Sequence, residues 1–314
     1  MRHQRASGPG SPDASAGETF PRRGDAPVTS DGGRTRRVLI TGAAGGVGQE
    51  LRLRLARPGR VLRLLDTAEM APPAAGEDVE IVRGSVTDMD VLEQACQGVD
   101  AVIHLAGYSR EAPWRQILEV NIGGTHTVFE AARRRRVSRV IFASSTHATG
   151  YTPLPADTEL TESHYPRPDT NYGVGKVTGE AIGSLYADRY GMDVICVRIG
   201  VCFPSPGHPR TLGRWLSPDD CARLFDACLT VPAPGFRLVW GVSANTRGQF
   251  SLTQARRLGY QPRDDSETLA AQLIAEHGDP DPTDPALHFV GGDWFAPQFD
   301  AGLHNHNESV TGCG

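Results

Sequence analysis

Short apolar runs recur through the middle of the chain, separated by stretches in which apolar residues return every three or four positions. The runs at 38–41, 61–65, 79–82, 101–105, 139–143 and 194–197 read as strands buried on both faces. The intervening amphipathic stretches at 46–55, 88–97 and 114–135 read as helices. This alternation predicts an α/β fold, a doubly wound parallel sheet of the Rossmann kind, with ligands at the carboxyl ends of the strands. Pro- and Gly-rich segments at 150–170 and 203–213, and everything after 217, fall outside the pattern. They predict a small C-terminal substrate-binding lobe.

The ends differ from the middle. Residues 1–35 are rich in Gly, Pro, Ser, Asp and Arg without periodicity, which predicts a disordered tail. Residues 301–314 read as a second loose tail, with His304 and His306 on a mobile end rather than in a metal site. The expected organisation is a dinucleotide-binding domain over 36–265, carrying substrate-lobe insertions near 150–170 and 203–235. The rest of the lobe follows at 266–300.

Composition narrows the possible partners. A net charge of -5 gives no general affinity for nucleic acid or anionic membranes. No run of 18 apolar residues occurs, so no transmembrane helix is expected, and the polar N-terminus lacks a signal-peptide core. Six cysteines are scattered with no CxxC pair, which fits reduced thiols in a cytoplasm and no zinc site.

The first motif is Thr41-Gly-Ala-Ala-Gly-Gly-Val-Gly48, directly after the first strand and opening the first helix. Gly42 permits the tight turn, Gly45 lets backbone approach a pyrophosphate, and Gly48 lets helix and strand pack closely. With Gly46 and Val47 they present free N–H groups at a helix N-terminus, a ready anion site. Asp66 ends the second strand, placed to accept hydrogen bonds from both adenosine ribose hydroxyls and to repel a 2′-phosphate. This predicts NAD over NADP. Leu105, Ala106 and Gly107 let the chain pass under the cofactor. His104, at the end of an apolar strand, reads as a histidine satisfied by backbone.

The second motif, Tyr172-Gly-Val-Gly-Lys176, puts a phenol and an ammonium on one helix face. A phenol with its ordinary pKa of about 10 is a poor base at neutral pH. A neighbouring ammonium and the oxidised nicotinamide favour the phenolate. The fifth strand ends Phe142-Ala-Ser-Ser145, placing Ser145 beside Tyr172 at the sheet edge. Asn121, on the preceding helix, is expected to position Lys176 through its backbone or a water.

In this order, these motifs resemble the extended short-chain dehydrogenase/reductase superfamily, which includes the NAD-dependent epimerases and dehydratases. The resemblance places Ser85, Val86 and Ser144 against the cofactor with Asn121, Tyr172 and Lys176. Ser85 stands where the superfamily usually has Asp near the adenine.

A narrower set resembles the uronate dehydrogenase family: Ser109–Trp114, Phe142–His147, Arg198–Pro204, Arg214–Ser217 and Gly241–Thr246. That resemblance implies oxidation of D-glucuronate or D-galacturonate at C1 to the aldarolactone with NAD. Tyr172 is then the base, with Ser145 and Lys176 beside it and no metal. Ser109, Ser145, Thr146, His147 and Tyr172 would contact the sugar, and Arg210 would clamp its carboxylate. A homo-oligomer in the cytoplasm is expected. Thr146 and Val201 depart from the family, which has Asn and Ser there. They keep open a dehydrogenase of another aldose or a sugar phosphate. A sugar-nucleotide epimerase or dehydratase and a non-catalytic NAD sensor are the remaining alternatives.

Overall fold

The computed structural model describes residues 36–295. Both expected tails, His304 and His306 included, lie outside the described residues. Seven strands form one parallel sheet in the order β3-β2-β1-β4-β5-β6-β9. They are β1 (Arg36–Thr41), β2 (Arg60–Asp66), β3 (Val79–Arg83), β4 (Ala101–His104), β5 (Arg139–Ser145), β6 (Asp193–Ile199) and β9 (Phe236–Gly241). A two-residue ladder joins β7 (Val201–Cys202) to β8 (Trp215–Leu216). The order reverses between β1 and β4, both paired to their neighbours in parallel register. That reversal opens the crevice in which doubly wound sheets hold their ligands.

Alternate residues of each strand feed two separate cores. Val38, Ile40, Leu62, Leu64, Ile103, Ile141 and Ile195 face one side, packed with Leu51 and Leu55 of α1 (Gly46–Leu55) and Phe225 of α6 (Pro218–Thr230). Leu39, Val102, Val140, Phe142 and Val194 face the other. There they meet Leu92 of α2 (Met89–Ala95), Phe129 of α4 (Thr125–Arg134) and Tyr186 of α5 (Asn171–Tyr190). Burial on both faces is why these strands read as unbroken apolar runs.

Two elements differ from the sequence reading. The stretch 114–135 is not one regular helix. It begins as α3 (Trp114–Gln116), widens into a π-helical turn over Ile117–Gly124, then continues as α4. Residues after 217 also complete the main sheet: α6 packs beside α1, and β9 pairs with β6. Further on, α7 (Thr253–Arg257) lies against β9, and α8 (Glu267–His277) packs Ala270 and Leu273 on Leu212.

Helix α5 packs Gly179 directly on the Phe142 ring of β5. A Cβ at Gly179 would sit 2.3 Å from the Phe142 ring, so only glycine fits there. Its capping is conventional: Thr170 Oγ1 accepts from the Gly173 N–H, and Gly191 ends the helix in the left-handed region at φ 69°. Gly179→Leu is expected to destabilise the fold by about 3 kcal/mol through displacement of Phe142. The urea midpoint, at unchanged m, measures it.

Candidate active site

The glycine turn, the end of β4 and the end of β5 share the carboxyl edge of the sheet. Gly42 has φ 73°, and a Cβ there would lie 2.6 Å from Ala106 N. Its backbone freedom therefore lets the turn reverse and lets the Leu105–Gly107 chain approach. A Cβ on Gly48 would lie 2.6 Å from the Gly42 carbonyl, so α1 can start tight against the turn. Gly45 N-caps α1 without any side-chain cap, and Gly45 and Gly46 are exposed. Asp66 accepts from Ala44 N–H and from Ala68 N–H, both at 2.9 Å. It thus ties the turn to β2 while leaving two of its roughly four lone-pair positions open. Ser85 is engaged with Thr87, and Val86 packs against Gly124 of the π-helical turn.

Under this turn runs a buried hydrogen-bond chain. His104 is 1% exposed, with Nδ1 at 2.7 Å from Thr41 Oγ1 and Nε2 at 3.0 Å from Thr125 Oγ1. Thr125 donates its own proton to Asn121 O at 2.5 Å. It therefore accepts from His104 Nε2–H, and Nδ1 accepts from Thr41. Burial, with Lys176 as a secondary cause, pushes His104 down to about 3, so the ring is neutral. Two threonine hydroxyls, rather than backbone, satisfy it. The Asn121 amide clasps Tyr108, accepting from its N–H at 2.8 Å and donating to its carbonyl at 2.9 Å. Its side chain thus pins the loop after β4.

The structure brings Tyr172, Lys176 and Ser145 together. Tyr172 is 7% exposed, and the Ser145 hydroxyl acts on its phenol. Lys176 Nζ donates to Ala143 O at 2.6 Å and lies 5.4 Å from the Tyr172 ring centre. Burial dominates both groups. It pushes the Tyr172 phenol up to about 12, against the Ser145 hydrogen bond, and Lys176 down to about 8, against the field of Glu180. Without a ligand, desolvation of the phenolate outweighs its neighbours; the expected lowering includes the charge of an oxidised nicotinamide. Ser144, buried, donates to Glu180 at 2.6 Å, so its hydroxyl points into the core network.

Around Tyr172 stand residues that sequence reasoning did not connect. His147 Nδ1 lies 2.8 Å from Oδ2 of Asp169, whose side chain is buried. Its ring stacks on Trp294 at 3.8 Å, and Trp294 is 5.8 Å from Tyr172. Glu111 accepts from the Tyr172 N–H at 2.9 Å and so caps the start of α5. Thr146 is buried at the end of β5, and Ser109 is exposed in the loop after β4. Arg210 lies on a 3₁₀ turn, with Nη2 2.7 Å from Asp284 and Nη1 3.9 Å from Asp293, the neighbour of Trp294. A cavity of about 250 Å³ opens beside it, lined by Leu154, Arg214, Arg247 and Phe250, and not by Tyr172, Lys176 or Ser145. Asp169 and Trp294 gave no periodic or motif signal. Glu180 did, lying eight residues after Tyr172 on the same helix.

Comparison with known proteins places this geometry. The profile of the NAD dependent epimerase/dehydratase family matches residues 38–229. A uronate dehydrogenase of Pseudomonas syringae pv. tomato is 42% identical over 261 residues, covering 83% of this chain and 93% of that protein. An NAD-dependent glucose-6-phosphate dehydrogenase of Haloferax volcanii is 38% identical, covering 73% and 94%. The crystal structure of a uronate dehydrogenase from Agrobacterium tumefaciens superposes with a TM-score of 0.77 at 38% identity, covering 83% of this chain and 96% of that one. A mutant of the same enzyme, complexed with NAD, gives 0.77 at 37%, covering 83% and 97%.

The carboxylate at the end of β2 generates a test. Asp66→Ala is expected to raise the ratio of kcat/KM for NADP to that for NAD by at least about tenfold, or 1.4 kcal/mol. Steady-state kinetics with both cofactors measure it.

Proposed function

The chain belongs to the NAD dependent epimerase/dehydratase family, and from that premise we propose that it oxidises a hexuronate at C1 to the aldarolactone with NAD. The observation that carries the reading is the Tyr172, Ser145 and Lys176 set at the same sheet edge as the glycine turn. The residues present fit the dinucleotide. Gly45 and Gly46 are exposed at the start of α1, which opens without a side-chain cap, and nothing lies within 4 Å of a Cβ built on Gly46, so backbone N–H groups there are open to a pyrophosphate. Gly45, Gly46 and Val47 face the pyrophosphate, and Asp66 the adenosine ribose. Ser85 and Val86 line the adenine end. Leu105, Ala106, Gly107, Asn121 and Ser144 form the floor.

Tyr172 takes the proton from the C1 hydroxyl. Ser145 donates a hydrogen bond to the phenolate and steadies the substrate oxygen as it becomes a carbonyl. Lys176 lends positive charge and holds the nicotinamide ribose. Bound NAD supplies the hydride acceptor and a further positive charge beside the phenol, which opposes the effect of burial. Thr146 and His147 line the sugar, with Ser109 at the mouth. Arg210 already holds a carboxylate, that of Asp284. Its planar fork suits the uronate in the same way, the substrate replacing the internal partner.

A second reading rests on Thr146 and Val201, which remove two polar groups of the uronate family, and on the similarity to a glucose-6-phosphate dehydrogenase. It keeps Tyr172 as the base and changes only the sugar.

No helix among the described residues is long and apolar enough to cross a membrane. We read the protein as cytoplasmic, in keeping with its five described cysteines, all free. Self-association through helices fits the exposed Leu118 and Leu185.

Glucuronate and galacturonate are expected to reduce NAD, with glucose and glucose 6-phosphate at least about a hundredfold slower, in a spectrophotometric screen; faster glucose 6-phosphate turnover selects the second reading. Tyr172→Phe is expected to lower kcat by about 10²–10⁴ while NAD affinity stays within about twofold. Retained turnover removes Tyr172 from the role of base.

A further inference from the structure

Lys176 is the only lysine among the 314 residues, every other basic side chain of the Lys/Arg class being arginine. It is buried, and its ammonium donates to a single protein acceptor, Ala143 O. The Phe142 ring centre lies 5.1 Å away and the Tyr172 ring centre 5.4 Å away. An ammonium in such a place loses its proton unless an opposite charge faces it.

The surroundings offer few charges. From β4 comes His104, held neutral by burial. From β6 come Cys196, whose thiol burial pushes far up, and Arg198. From α5 itself come Tyr172 and Glu180. Asp169, just before α5, acts on Tyr172, and Glu119 of the π-helical turn is exposed. Among the described residues, Glu180 is the one carboxylate whose field acts on Lys176.

Glu180 lies one turn beyond Lys176, buried, with both carboxylate oxygens engaged. It accepts from Ser144 Oγ at 2.6 Å and from Arg198 Nε and Nη2, each at 2.8 Å. Arg198 is fully buried, with Nη1 on Glu162 O at 3.1 Å and its guanidinium 5.4 Å from the Trp240 ring centre. The arrangement is a buried row of alternating charged side chains, Lys176, Glu180 and Arg198, running from the site into the sheet.

We propose that Glu180 is an electrostatic positioning residue of the reaction: locked by Arg198 and Ser144, it keeps Lys176 protonated at working pH. Its effect on turnover rests on the reading of Lys176 given above, but its effect on Lys176 does not. Without Glu180, Lys176 titrates lower, and the alkaline fall in kcat begins at lower pH. A structural partner of Arg198 alone would change stability and leave both unmoved.

Because the chain has one lysine, ¹³Cε-lysine labelling of the full ligand-free protein gives one titrating NMR signal. Burial sets the wild-type midpoint at about 8. In Glu180→Gln it is expected to fall by at least about one unit, the usual effect of removing a nearby opposite charge. At pH 8 the protonated fraction then drops from about one half to about one tenth. Should Glu180→Gln fail to fold, the double variant Glu180→Gln/Arg198→Met removes the buried pair together and is expected to titrate below wild type as well. An unshifted lysine midpoint in a folded variant overturns the proposal. A shifted midpoint supports it; if the alkaline limb of kcat then stays in place, the fault lies with the role given to Lys176 and not with Glu180.

Discussion

The close contact between α5 and the last three residues of β5 governs the chemistry of this protein. Tyr172, Lys176 and Glu180 succeed one another at single-turn spacing, over about 12 Å of helix. Each meets a different group of the strand end: Ser145 Oγ, Ala143 O and Ser144 Oγ. Gly179 over Phe142 brings the backbones together, at a helix-propensity cost of about 1 kcal/mol relative to alanine. The tight packing that excludes water also displaces both ionisable groups, the phenol upward and the ammonium downward.

The second constraint is the buried chain from Thr41 through His104 and Thr125 to Asn121 and Tyr108. It joins the strand that begins the glycine turn to the loop after β4. The wide π-helical turn is part of this design, since Asn121 projects its amide from it onto both polar groups of Tyr108. Such insertions cluster at functional sites because they re-aim one side chain without breaking a helix. A neutral histidine suits the middle of the chain: it donates on one nitrogen, accepts on the other, and keeps that state across the working pH range.

Much of this was legible in the sequence. The strand runs are apolar because both faces are covered, so six of the seven strands of the sheet follow from pattern alone. The glycine turn, Asp66 and the Tyr172–Lys176 spacing are local, and local spacing survives folding. What was hidden depends on pairing across distance. Asn121 was visible as a polar residue in a helix, but its partner Tyr108 was not. Arg210 was visible as a loop arginine, but its pairing with Asp284, 74 residues later, was not. Trp294 reaches Tyr172 from the far end of the described chain, and β9 follows a Pro-rich bend that masks its alternation. The π-helical turn keeps an apolar pattern close to that of the helix around it.

The opposite displacement of Tyr172 and Lys176 shapes the order of events at the site. With the phenol near 12 and the ammonium near 8, the stable state at neutral pH is a neutral phenol beside a cation. Moving the phenolic proton away is uphill until more positive charge or more hydrogen-bond donation reaches the phenol. Ser145 supplies donation, but in the ligand-free protein it is outweighed by burial. Without a cationic ligand the phenol keeps its proton at neutral pH, and the base role proposed for Tyr172 calls for the positive charge of the oxidised cofactor. Glu180 and Arg198 sit behind Lys176 rather than beside Tyr172. They sustain the ammonium without placing a carboxylate next to the phenol, where a negative charge would have raised its pKa further.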